Sequence, residues 1–340
     1  MSEEAEPNDL DREVDASMRM FEKSKVGPAP EIAPIKPARI LLILDGSPQD
    51  QTGIDAASHL RNEFNVETLV LDARQPKASS SSEDPPGESL PAEDQNADAE
   101  IEDLAIAAAE SISGARPLKR KAEDAYDAIL NTVNEHAVDL LILPCPFERS
   151  FEDVGADSAG TVIDVLLARS NCPMLIIRRD DQRLAECAHT ISMVVGSECE
   201  MAKRAAGWVF AMASKAAAVS LNLVIEKEQY QNIKSIIEAL APDASFDPQA
   251  FSDALTKTHQ SIHESMSKTA ASRGLDYRLR PQAGETAPPN LMTESTKMLL
   301  VVPLEVDDRF GQGFVQDRIC LLYTSPSPRD QRGSRMPSSA

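Results

Sequence analysis

The chain has 340 residues, 42% of them hydrophobic and 4% aromatic, and a formal charge of −21 at pH 7. That length allows two domains of roughly 100–200 residues with aliphatic rather than aromatic cores. The acidic balance excludes nucleic acid and an anionic membrane surface as expected partners, since both need Lys and Arg against phosphate, and no run approaches the roughly 20 apolar residues of a bilayer span.

Residues 1–37 are acidic and end in Pro28, Pro30, Pro34 and Pro37, which reads as a disordered leader. With no basic region followed by an apolar one at the N-terminus, a secretory signal is not expected. The five cysteines are scattered with no CxxC pair, which fits free thiols and a cytoplasmic location.

Order begins at Arg39. The run Ile40-Leu41-Leu42-Ile43-Leu44, closed by Asp45-Gly46-Ser47, has the pattern of a strand buried on both faces. Helical spacing follows over 51–63, then a strand over Val66–Leu71. Residues 75–98 hold four consecutive serines and Pro85-Pro86 and read as a flexible insertion rather than a boundary, because the α/β rhythm resumes after them. A helix over Ile101–Ile112, a short strand over Ala115–Lys119, a helix over Glu123–His136 and a strand over Asp139–Leu143 come next. Gly160-Thr161 opens a helix to Arg169, and Cys172–Ile177 is the last strand of the unit. Strands alternating with helices predict right-handed crossovers and a doubly wound parallel sheet over 38–180.

The rhythm restarts after His189. Strands are expected over Thr190–Val195, Val219–Ile225, Leu275–Leu279 and Met298–Val302, and helices over Met201–Lys215, Gln229–Leu240 and Phe251–Ser272. Residues 189–319 read as a second, degenerate copy that lacks a closing helix and strand. The stretch Cys320–Ala340 is acid-poor and rich in Ser, Pro and Arg. Cys320–Asp330 resembles the translation of a transposase-type sequencing adapter, and Ser334–Ala340 the primer that follows it. These 21 residues are expected to be a read-through artefact, and the natural chain to continue past Ile319.

The strand ending in Asp45-Gly46-Ser47, the strand Asp139–Leu143, the helix opened by Gly160-Thr161 and the Cys172-Pro173 strand together resemble a universal stress protein, and the whole chain a tandem member of that family. The resemblance implies a five-stranded sheet of order 3-2-1-4-5, like that of the adenine nucleotide alpha hydrolases. Its ligand crevice lies at the switch point between the strands ending at Leu44 and Leu143. Some members hold ATP there. The resemblance then makes Asp45, Gly46, Ser47, Gly160 and Thr161 the nucleotide-binding residues. Phosphate-binding loops use glycine so that backbone N–H groups approach the anion. Here Pro144 and Phe147 take the places of the two loop glycines, and proline has no N–H to give. In the second copy Val195 stands where Asp45 stands in the first.

No catalytic motif is present. His259 and His263, four residues apart, lack a third metal ligand and read as solvated helix surface. Cys145 reads as a structural thiol rather than a reactive one. The expectation is a cytoplasmic stress-response protein that works by binding to an unidentified protein partner, not an enzyme, with homodimer or intramolecular domain pairing. The alternative is a nucleotide-binding sensor using the first crevice, with ATP as its ligand.

Overall fold

The first sheet is built around β1 (Arg39–Leu44), whose alternate residues enter two different cores. Leu41 and Ile43 join the core on one face, and Ile40, Leu42 and Leu44 the core on the other. Burying each such side chain contributes roughly 1.5–3 kcal/mol against roughly 1–2 kcal/mol for fixing its backbone, so the strand stabilises itself only because both faces are covered. The computed structural model describes residues 29–74, 104–147, 161–196, 200–225, 227–240, 247–282 and 297–303. The expected insertion at 75–98, the stretch 148–160 that includes Gly160, and the tail from 320 lie outside them.

Around β1 run β2 (Glu67–Asp72), β3 (Arg116–Leu118), β4 (Leu140–Pro144) and β5 (Met174–Ile177). The pairing is parallel throughout, in the order β3-β2-β1-β4-β5, as the sequence implied. On one face lie α1 (Gln49–Phe64) and α2 (residues 104–111), through Ala56, Ala57, Leu60, Ala105, Ala108 and Ala109. On the other lie α3 (Ala125–His136) and α4 (Thr161–Arg169), through Ile129, Val133, Ile163 and Leu166.

The connection to the second unit is itself packed. Thr52 Oγ1 of α1 donates to Asp180 O at 2.7 Å. Leu184, on the short helix α5 (Leu184–Cys187), is buried in the core on the α1 face. A second parallel sheet follows, with β6 (Thr190–Val195), β7 (Ala218–Val224), β8 (Asp276–Gln282) and β9 (Leu299–Val301) in the order β8-β7-β6-β9. This is the order of the first four strands of the first sheet. Its core is closed by α6 (Glu200–Met212) and α9 (Gln260–Arg273), with Phe210, Val209, Met266 and Ala270 buried among Met193, Val195, Leu221 and Leu223. α7 (Lys227–Leu240) and α8 (Pro248–Thr258) complete the β7–β8 connection, and Tyr230 of α7 meets Phe251 of α8 edge to face at 5.4 Å.

The structure differs from the sequence reading in two places here. The single helix expected over Phe251–Ser272 is two helices, broken at His259, which has φ −101° and ψ 20°. The break turns the His259 ring inward, so it is 2% exposed, with Nδ1 3.0 Å from Leu255 O. His263 Nδ1 lies 3.0 Å from the Tyr277 hydroxyl and the two rings stack. Neither histidine belongs to a solvated face. Burial also pushes the Tyr277 hydroxyl well above its ordinary pKa.

The second difference is in the leader. Residues 29–37 were expected to be disordered, yet they are held against the second unit before the chain enters β1. Ile32 N donates to Thr269 Oγ1 at 2.8 Å and Ile35 N to Gly207 O at 3.1 Å. Composition alone missed this, because the partners are more than 170 residues away along the chain.

Candidate functional site

The switch point of the first sheet is where β1 and β4 end side by side, in the register Ile40↔Leu140 to Leu42↔Ile142. The connection leaving β1 runs through α1 on one face and that leaving β4 through α4 on the other, and such a crevice is where open α/β sheets place ligands. Asp45 closes β1 and is 5% exposed. Its Oδ1 accepts the Ser47 N–H at 2.9 Å, a local turn that short acidic side chains favour. Gly46 sits at φ +78°, the left-handed region that glycine reaches without strain.

A second carboxylate organises the same turn. Asp50, in the first turn of α1, accepts the N–H of Asp45 at 3.1 Å and of Gly46 at 2.8 Å. It is buried, and desolvation together with the neighbouring Asp45 carboxylate pushes its pKa up to about 7, against the lowering effect of the two backbone N–H groups. The N–H groups of Asp45, Gly46 and Ser47 are therefore all accepted by the carboxylates of Asp45 and Asp50.

The β2 side of the crevice is also internally paired. Asp72 ends β2, is 2% exposed, and accepts from Arg74 Nη2 at 2.7 Å and Nε at 3.0 Å. Arg120 Nη1 donates to Ala73 O at 3.0 Å and to Arg74 O, anchoring this guanidinium-rich corner to β2. A Cβ placed on Gly46 would lie 3.0 Å from Arg74 Cδ, so the turn and the arginine are in close contact.

On the β4 side, Pro144 ends the strand, Cys145 is fully buried with its N–H donating to Ile177 O at 2.9 Å, and Phe147 is 4% exposed. Cys145 and Phe147 both belong to the core beneath α3 and α4. Of the residues in the two glycine positions, Phe147 thus serves packing and Pro144 is buried at the strand end. Thr161 begins α4 and is exposed, while its partner Gly160 lies outside the described residues, so the structure joins Asp45, Gly46 and Ser47 in one turn without placing them against the Gly-Thr pair. At the matching end of β6, Val195 is buried in the core of the second sheet and offers no carboxylate.

Sequence reasoning missed Asp50, Asp72 and Arg74. A signal was present for Asp72 and Arg74, an Asp-x-Arg closing the second strand, whereas an acid in the first turn of a helix is no signal beyond the helix dipole. Among the described residues, no group of three or more His, Cys, Asp or Glu side chains is placed to hold a metal ion. No helix among them is long and apolar enough to cross a membrane.

The described thiols are packing groups. Cys145, Cys172 and Cys187 are buried and in no disulfide. Burial first, then the Asp139 carboxylate, pushes Cys172 up to about 12, and its Sγ donates to Val138 O at 3.3 Å. Burial and Glu186 raise Cys187 as well. Alkylation by iodoacetamide at pH 8, mapped by mass spectrometry, is expected to be at least about tenfold slower at these three positions in the native chain than in urea. Native-rate modification of Cys145 would restore it as a reactive group at the crevice.

Residues 37–178 match the model of the universal stress protein family. Among solved structures, the chain is similar to a universal stress protein from Archaeoglobus fulgidus DSM 4304, at 12% identity over 73% of this chain and 97% of that one, with a TM-score of 0.40. It is similar also to a protein of the universal stress protein family from Burkholderia pseudomallei, at 19% identity over 42% of this chain and 96% of that one, with a TM-score of 0.30. No curated protein matches the chain.

Proposed function

We propose, from the premise that residues 37–178 are a universal stress protein domain, that the chain acts in the stress response by binding and interaction rather than by catalysis. On this reading its first crevice does not hold a nucleoside triphosphate. One observation carries the second half: the turn N–H groups of Asp45, Gly46 and Ser47 are spent on Asp45 and Asp50, while Pro144 and Phe147 at the end of β4 are buried. A phosphate entering at the end of β1 would meet the Asp45 and Asp50 carboxylates and turn N–H groups that they already occupy, in a site where opposed like charges are costly. The second sheet repeats the strand order of the first, which supports reading residues 189–319 as a degenerate second copy whose role is to pair with the first unit within the chain. A cytoplasmic location fits buried thiols that form no disulfide in the first unit and its connection.

The test is a thermal shift of the whole chain with ATP and magnesium at millimolar concentration. Binding at a concentration one hundred times Kd would add about 2.7 kcal/mol of apparent stability, easily seen. The expected result is no shift. A clear, saturable shift would overturn the closed-crevice reading and favour a nucleotide sensor.

A further inference from the structure

Nothing in the family premise accounts for how residues 29–37 are seated. This stretch carries Pro30, Pro34 and Pro37, with isoleucines at 32 and 35. Proline spacing of this kind favours a polyproline-II course, which has three residues per turn, so side chains three apart share one side. The exposure pattern agrees: Ile32 and Ile35 are half-buried and Pro37 buried, while Glu31, Ala33, Pro34 and Lys36 are exposed.

The receiving surface is formed by α6 and α9. Ile32 packs against the core of the second sheet, and Ile35 against the core that Trp208 shares with the first. Both isoleucine N–H groups are met, by Thr269 Oγ1 at 2.8 Å and by Gly207 O at 3.1 Å. Lys268 Nζ donates to Ala29 O at 3.3 Å. Gly207 lets the segment approach: a Cβ there would lie 2.9 Å from Ile35 Cγ1 and 3.3 Å from Ala33 O. Two apolar anchors, main-chain hydrogen bonds at each and a glycine beneath the backbone are the parts of a peptide-recognition groove.

We infer that the α6–α9 surface is a recognition site for an extended, proline-bearing peptide with isoleucines three residues apart, and that residues 29–37 are its resident, displaceable occupant. A partner carrying the same pattern would compete with the strap. Its binding would free the leader and change the surroundings of Trp208, the one tryptophan of the chain. The interaction role then has a surface, formed by α6 and α9.

The probe is a fluorescein-labelled peptide copying residues 28–38, followed by anisotropy against the full chain. Ile32→Asp with Ile35→Asp removes the resident anchors and should expose the groove. Saturable binding to this double variant is expected, at least about tenfold tighter than to the wild-type chain, whose strap competes at high effective concentration. Adding Gly207→Val to the double variant should abolish binding, and a shift of Trp208 emission should track the peptide. Absence of binding to a double variant with wild-type circular dichroism would overturn the proposal, as would equal binding with Gly207→Val. Loss of helical signal in the double variant would overturn it too, because the segment would then be a fixed strut rather than an exchangeable occupant.

Discussion

Replacing Trp208 with alanine is expected to cost about 3–5 kcal/mol, the range for deleting a large buried aromatic side chain, and to split one unfolding transition into two. Trp208 is 8% exposed and lies in the core with Ile40, Leu42, Ala56 and Leu60 of the first unit. Its neighbours on α6, Ala205, Ala206, Val209 and Phe210, lie instead in the core of the second sheet. One helix therefore serves two cores, and its two faces couple them. Ala211 and Met212 of α6 and Leu299 of β9 also pack against the first unit's core, more peripherally. Arg183 and Asp55 lie 3.5 Å apart with exposed side chains, a kind of pair worth about 0–1 kcal/mol. Chemical denaturation followed by circular dichroism would read the result. The wild-type chain should unfold in a single transition, and the variant with a first transition at lower denaturant. A loss below about 1 kcal/mol, or an unchanged single transition, would mean that contacts other than Trp208 hold the two sheets together.

The first domain was legible because its signals are local. A strand buried on both faces must be aliphatic at every position, so Ile40–Leu44 and Leu140–Leu143 declare themselves without reference to anything distant. The helices between them carry apolar residues at helical spacing for the same reason. What the sequence hid depends on partners far along the chain. Ile32 and Ile35 read as part of a polar, proline-rich leader until α9 and α6 are set beside them. The break at His259 has no glycine or proline to mark it, and nothing in the neighbouring sequence signals that its ring is buried. In the candidate site, Asp45 and the lost glycines were visible by their position after a strand. Asp50 was not, because an acid in the first turn of a helix is ordinarily explained by the helix dipole. Only the geometry shows its carboxylate folded back onto the turn behind it.

That carboxylate also makes the first domain sensitive to pH in a direction opposite to most acidic groups. An ordinary aspartate has a pKa near 3.8, and Asp50 in the folded chain stands at about 7, raised by burial and by Asp45 beside it. The folded state therefore binds a proton more tightly than the unfolded state between about pH 4 and pH 7. Stability falls wherever the native state holds more protons, so this contribution is present at the acid end and is lost as pH rises through that window. The expected loss is on the order of a few kcal/mol. The net charge of −21 adds its own self-repulsion at higher pH, and Asp50→Asn separates the two. Asparagine keeps one oxygen to accept an N–H from the turn and cannot ionise. At pH 5 the variant should be slightly less stable than the wild type, by about 1 kcal/mol for the weakened hydrogen bonds. At pH 8 it should be more stable, by about 2 kcal/mol, so the two stability curves cross. Thermal midpoints measured from pH 5 to pH 8 would show it. Parallel curves would mean that Asp50 ionises as an ordinary acid and that the turn at the end of β1 holds its shape without a shared proton.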